Sequence, residues 1–244
     1  MFLHAGIADR RMWRAQPAEF GGPCRAIAVD LRGFGDSSDA AGPFSRTGDL
    51  LALLDALEID RATLVACSFS GAAAIEVAPD HRDRVTRLAL SGSALPGRDW
   101  SARLDALFAA ELGDGDPEDV DTVAPAETRL WPAVSARGED AVGPEVFALT
   151  REMNRAALAR EVALGDTARE VPPDPSLASR LGELAAPALV AVGEHDLPGI
   201  RDNARALAAG IGGAELVVIP GAAHLAPLEN PGAFNCALGA LRAR

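Results

Sequence analysis

The stretch that constrains this chain most is Leu64-Val65-Ala66-Cys67-Ser68-Phe69-Ser70-Gly71. An apolar, β-prone run from Ala62 to Ala66 stops at a serine set among small residues. The chain then continues as Gly71-Ala72-Ala73-Ala74-Ile75-Glu76-Val77-Ala78, which has helical character. A strand that turns directly into a helix leaves little room at the corner. The residues two before and two after the central one face each other there, so both must be small. Here they are Ala66 and Ser70. The corner predicts a strained backbone at Ser68, with its hydroxyl held out at the carboxyl edge of a sheet. The next helix aims its N-terminus at the same spot, where partial positive charge suits a developing oxyanion. A plain strand–helix junction with a capping serine reads equally well from these residues alone.

The flanking pattern extends the argument. Phe2-Leu3-His4 is a short apolar run ending in a small-residue turn, Ala5-Gly6. Cys24 to Asp30 reads as a buried strand, followed by a loop with two glycines, Leu31 to Ser38. Residues 46–58 carry leucines at 50, 51, 54 and 57, a helical stripe. Val85–Ser91 is another apolar strand. Strands alternating with helices at short spacing imply a mostly parallel, doubly wound α/β sheet. Over 95–183 strand signals vanish, and amphipathic segments replace them: Trp100–Leu112, Pro125–Ser135, Pro144–Leu164 and Pro175–Leu184. The alternation then resumes with strands Ala188–Val192 and Glu215–Ile219, and Pro231–Arg244 closes the chain as a helix. The expected organisation is an α/β core, 1–94 with 184–244, carrying a helical cap at 95–183. Its position after the strand that follows the serine corner favours a lid, and ordinary helical bulk is the plainer alternative.

Composition narrows the class. The 244 residues carry a formal net charge of -12, and all 23 basic residues are scattered arginines. Nucleic acid and anionic membranes, which require clustered positive charge, are therefore not expected partners. Three cysteines, Cys24, Cys67 and Cys236, form no close pair and read as free thiols in a reducing compartment. Neither an export leader nor an apolar run of about 18 residues is seen, so the chain is read as soluble and cytoplasmic.

A serine hydroxyl needs a neighbouring base, and the base needs an orienting acid. Of four histidines, His81 lies in a polar connection, His195 sits within a turn, and His4 ends a strand. His224 follows the last strand through Pro220-Gly221-Ala222-Ala223, at the carboxyl edge where such sheets bind ligands. It is the best base. Asp196 ends Gly193-Glu194-His195-Asp196, after the penultimate strand and on the same edge, with Glu194 and Asp80 as competitors. Two N–H donors are also needed for an oxyanion. Phe69 supplies one, and the turn at Gly6 is the candidate for the other.

With those residues in view, the chain resembles the α/β-hydrolase superfamily, in its capped esterase, lactonase and haloperoxidase-like branch. The matching residues are His4-Ala5-Gly6 with Asp9-Arg10-Arg11-Met12-Trp13, Asp30 to Ser37, Cys67 to Gly71, Gly193 to Asp196, and Gly221 to Leu225. The resemblance implies Ser68 as nucleophile, Asp196 as acid, His224 as base, and Gly6 and Phe69 as oxyanion donors. It departs from the pattern in three places. Ala5 stands for the usual glycine of the His-Gly turn, and Ala66 and Ser70 stand for the two corner glycines. The chain also starts inside what would be the third strand, so the expectation is that the first two strands of the usual sheet are missing or that the start is truncated. Serine at the corner argues against the epoxide hydrolase and haloalkane dehalogenase branches, which use aspartate there.

The function expected is hydrolysis of a carboxylic ester, thioester or lactone of a small, largely apolar molecule through an acyl-enzyme on Ser68. No metal or cofactor is expected. A lyase or cyclase reaction of a secondary-metabolite pathway on the same scaffold is one alternative, and a ligand-binding protein is another. Trp100, Phe108, Trp131, Phe147 and Met153 are candidate pocket residues, or else they pack the cap onto the core. The strand Phe2–His4 is expected at or near a sheet edge, where a second copy would cover it as a homodimer.

Overall fold

The computed structural model describes residues 1–22, 24–39, 42–97, 101–132, 137–165, 169–172, 174 and 176–243. Six strands form one sheet: β1 (Phe2–Leu3), β2 (Ala28–Val29), β3 (Ala62–Cys67), β4 (Val85–Ser91), β5 (Ala188–Gly193) and β6 (Glu215–Ile219). Their order is β2-β1-β3-β4-β5-β6, and every pairing is parallel. Parallel neighbours need crossovers, and the helices that make them cover both faces.

That covering explains why β3, β4 and β5 read as unbroken apolar runs. Leu64, Ala66, Leu88, Leu90, Val190 and Val192 enter the core on one face. Their alternates Val65, Cys67, Ala89, Leu189 and Ala191 enter a second core on the other. Truncating Leu64 or Leu88 to alanine is expected to cost about 2–5 kcal/mol.

The helices of the core are α1 (Gln16–Phe20), α2 (Arg46–Ala56) and α3 (Ser70–Asp80). Between β4 and β5 the described elements are all helical: α4 (Ser101–Leu112), α5 (Val120–Leu130), α6 (Glu139–Val142), α7 (Pro144–Leu164) and α8 (Leu177–Arg180), with a 3₁₀ turn at Leu181–Glu183. Helix α5 starts one turn earlier than the sequence suggests. The Asp119 carboxylate caps it on the Asp121 N–H, which leaves Pro125 inside the helix. After β5 come α9 (Pro198–Gly210), α10 (Ala226–Glu229) and α11 (Pro231–Arg242). No helix among the described residues is long and apolar enough to cross a membrane.

Two expectations are corrected. The segment Phe2–Leu3 lies near the edge, one strand in, but its backbone groups are not left unpaired: it pairs with β2 on one side and β3 on the other, and it is buried. The edge is β2, shorter and more exposed than the buried strand expected over 24–30. With one neighbour only, β2 has half its backbone groups to pair. The exposed-edge rationale for a homodimer through the first strand falls with this placement.

Candidate active site

All the chemistry-bearing turns leave the carboxyl ends of the strands. The sharpest follows β3. Ser68 has φ +59, a left-handed conformation that strains any residue with a side chain. Its N–H is tied to the Ser91 carbonyl at 2.9 Å. Ser70, where a glycine would be roomier, makes use of its hydroxyl. Its oxygen accepts the Cys67 N–H at 3.1 Å and lies 3.0 Å from the Leu3 carbonyl and 2.9 Å from that of Cys67, so it pins the corner to β1.

Three residues distant in sequence meet at this corner. His224 Nε2 lies 2.7 Å from Ser68 Oγ. His224 Nδ1 lies 3.1 Å from both carboxylate oxygens of Asp196. Both side chains are sealed from solvent. The Asp196 carboxylate also accepts the Leu197 N–H at 2.8 Å, which fixes its orientation. The competing acids are engaged elsewhere. Glu194 is exposed and accepts the Gly221 N–H at 2.9 Å, while Asp80 pairs with Arg180. A serine, an imidazole and a carboxylate in this order can pass the serine proton to Nε2 and hold the resulting imidazolium.

Gly6 and Phe69 both border the cavity in front of Ser68. Among the described residues neither backbone N–H donates to another residue. The turn at Gly6 is held by His4, whose Nδ1–H donates to the Ala5 carbonyl at 2.8 Å and whose Nε2 accepts the Leu31 N–H at 2.9 Å. Burial lowers the His4 pKa to about 4, so the ring stays neutral and serves as a structural pin.

The cavity measures about 540 Å³. Phe34, Phe44, Phe69 and Trp131 form an aromatic side, and Arg46, Glu127, Asn154 and Glu170 bring polar groups to it. These polar groups are set into a wall that is largely apolar, as expected. The Arg46 guanidinium lies 4.4 Å from the Phe69 ring centroid and pairs with Glu170 at 2.9 Å. Burial lowers its pKa. Glu127 is held above the usual carboxylate range, first by burial and then by the nearby Glu161, although the Asn154 amide bonds it at 2.9 Å.

Of the four aromatic and Met candidates among the described residues, Trp131 alone is brought to Ser68 and His224. Its ring stacks on the His224 imidazole with centroids 4.4 Å apart. Phe108 packs against the core, Met153 is fully buried in it, and Phe147 does not wall the cavity. Phe108 and Met153 turn to the apolar side of their helices, which packs on the core. Trp100 lies outside the described residues. Sequence reading missed Phe34, Phe44 and Arg46, which come from loops and a helix start with no periodic signal.

Comparison with known proteins bears on the family and the fold. The sequence profile of the "Alpha/beta hydrolase family" matches residues 1–237. The 2-hydroxymuconate semialdehyde hydrolase of Pseudomonas sp. (strain CF600) is 36% identical over 115 residues, 44% of this chain and 41% of that protein. The matched stretch thus spans about two fifths of the curated relative's length. Among solved structures, a hydrolase from Pseudomonas aeruginosa PA01 is 30% identical with a TM-score of 0.77, covering 100% of this chain and 89% of that one. The enol-lactonase from Burkholderia xenovorans LB400 is 26% identical with a TM-score of 0.75, covering 100% of this chain and 90% of that one.

Proposed function

The chain belongs to the alpha/beta hydrolase family, and from that premise we propose that it is a serine hydrolase that cleaves a carboxylic ester, thioester or lactone of a small molecule through an acyl-enzyme on Ser68. The observation that carries this reading is the unbroken line Ser68 Oγ, His224 Nε2, Asp196 carboxylate at the floor of the cavity.

In the proposed reaction Ser68 Oγ attacks the substrate carbonyl as His224 Nε2 takes its proton. Asp196 keeps the imidazole in the Nδ1–H tautomer and stabilises its charged form. The N–H groups of Gly6 and Phe69 receive the oxyanion, and each such donor is worth roughly 10²–10³ in rate. The imidazolium then protonates the leaving oxygen or sulfur. Water enters, His224 deprotonates it, and the acyl group leaves Ser68 as an acid. The aromatic side of the cavity suits the apolar part of the substrate. An enol-lactonase among the similar structures supports lactones as one arm of the substrate class.

A fluorophosphonate probe tests the proposal together with a p-nitrophenyl ester series. Covalent addition at Ser68, lost in Ser68→Ala with turnover reduced by several orders of magnitude, is the expected result. Esterase activity that survives in Ser68→Ala sinks the acyl-enzyme. Absence of both turnover and adduct in the unaltered protein favours the lyase, cyclase or binding readings.

A further inference from the structure

Two charged side chains outside the serine–histidine–aspartate line meet under the His224 loop. Glu229, the last residue of α10, accepts the backbone N–H of both neighbours of His224. Ala223 donates to Oε2 at 2.9 Å and Leu225 to Oε1 at 3.0 Å. Arg137, from the helical insertion between β4 and β5, donates Nη2 to the same Oε2 at 2.7 Å. Its Nη1 bonds the Gly221 carbonyl at 2.7 Å, and its Nη2 also bonds the Pro132 carbonyl at 2.5 Å. The pair is sealed: the side chains are 6% and 2% exposed. Close by in the same segment, Trp131 covers the face of the imidazole.

A buried ion pair contributes little net stability, because desolvation offsets most of the attraction, but losing one partner is strongly unfavourable. Here burial pushes the Glu229 carboxyl above its usual range, and the Ala223 N–H and Arg137 pull it back. Only the ionised carboxylate can accept both flanking N–H groups and the guanidinium together. A carboxylic acid or an amide turns one of its ends into a donor, which then faces another donor.

We infer that Arg137 and Glu229 are positioning residues for His224: Arg137, carried by the insertion, anchors Glu229, and Glu229 fixes the backbone on both sides of the imidazole. The insertion therefore builds part of the site as well as roofing it. This rests on the reading of His224 as the base. The imidazole is in register with Ser68 only while the segment around Trp131 and Arg137 is seated.

The test compares Arg137→Met, Arg137→Lys and Glu229→Gln. Steady-state kinetics use p-nitrophenyl butyrate, and NMR reads the low-field Nδ1–H proton that His224 shares with Asp196. Misplacement of a reacting group by about 1 Å costs on the order of 10²-fold. The expected result is a fall of that size in kcat for Arg137→Met and Glu229→Gln, with KM within about threefold, and a broadened or lost imidazole proton signal. Arg137→Lys keeps the charge without the fork and should recover roughly a tenth of the activity. A role confined to packing would lower the melting temperature and leave the imidazole signal and kcat intact below the transition. That result overturns the inference. If Arg137→Met fails to fold, Arg137→Lys and Glu229→Gln still decide it through the same two readouts. If the unaltered protein turns over no ester, the acyl-enzyme proposal fails, while the imidazole signal still reports whether Arg137 and Glu229 hold His224.

Discussion

Replacing Gly193 with alanine should disable the site from a position that touches no substrate. Gly193 ends β5, and a Cβ built on it would stand 2.0 Å from the Ala223 carbonyl oxygen and 2.6 Å from that of Ala222. Contacts of a Cβ below 3.0 Å are essentially never seen, so the two backbones must separate by about 1 Å. Strand β5 is held between β4 and β6, with Gly193 in register with Ile219. The segment that yields is the loop carrying His224. Its Nε2 is 2.7 Å from Ser68 Oγ. Adding about 1 Å takes that distance past the usual hydrogen-bond reach of roughly 3.2 Å. A fall in kcat of about 10²-fold follows. Overpacking of this kind costs about 1–3 kcal/mol, which for a chain of this size lowers Tm by roughly 2–10 °C. Gly212→Ala is the control, because a Cβ there meets nothing within 4 Å. Ester turnover and calorimetric melts of both variants give the answer. A Gly193→Ala protein with wild-type kcat and Tm would refute the close approach and the argument built on it.

Further expectations concern single residues. Ser68→Gly relieves the positive φ of +59 and should raise stability by about 1 kcal/mol while abolishing hydrolysis, and a lower Tm would contradict the strain. Asp196→Asn should keep the fold but present His224 in the wrong tautomer, for which a loss of about 10⁴ in kcat is the general precedent; a loss under about tenfold would point to another carboxylate. His4 makes stability depend on pH. Its pKa is lowered from 6.5 to about 4 in the fold, so below pH 6.5 the unfolded chain binds the extra proton. The contribution is full above that value and declines as pH falls towards 4, by about 3 kcal/mol in all. Thermal melts between pH 7 and 4.5 should therefore show a shallower slope for His4→Gln than for the parent, and equal slopes would exclude His4 as the source.

The serine corner was legible because steric room at a strand–helix junction is a local property: Ala66 and Ser70 had to be small whatever surrounded them. His224 and Asp196 were legible for a related reason, since each follows a strong apolar strand and strand ends share one edge of a parallel sheet. The pairing of Phe2–Leu3 on both sides was not. Which strand neighbours which is decided by crossovers tens of residues long, and a two-residue strand carries no periodicity of its own. The pocket residues failed differently. Phe108 and Met153 have the side chains a pocket uses, but an amphipathic helix turns its apolar face to whatever it packs on, and here that is the core. Glu229 lies five residues beyond His224, and its partner Arg137 comes from a segment 92 residues earlier. Nothing in their sequence surroundings marks them as a pair.

The seam between β4 and β5 sets the terms on which this protein could be remade. Strands β4 and β5 are parallel neighbours, with Leu88 beside Ala188 and Ser91 beside Ala191, so the helical insertion leaves the carboxyl end of one strand and returns to the amino end of the next. A graft long enough to make that crossover is tolerated there, because doubling a closed loop adds only about 0.6 kcal/mol. Exchange of this segment is a cheap route to new specificity in evolution or in the laboratory. A donor segment that brings no counterpart of Arg137 would fold onto the same sheet and inherit a serine whose partner histidine is out of alignment.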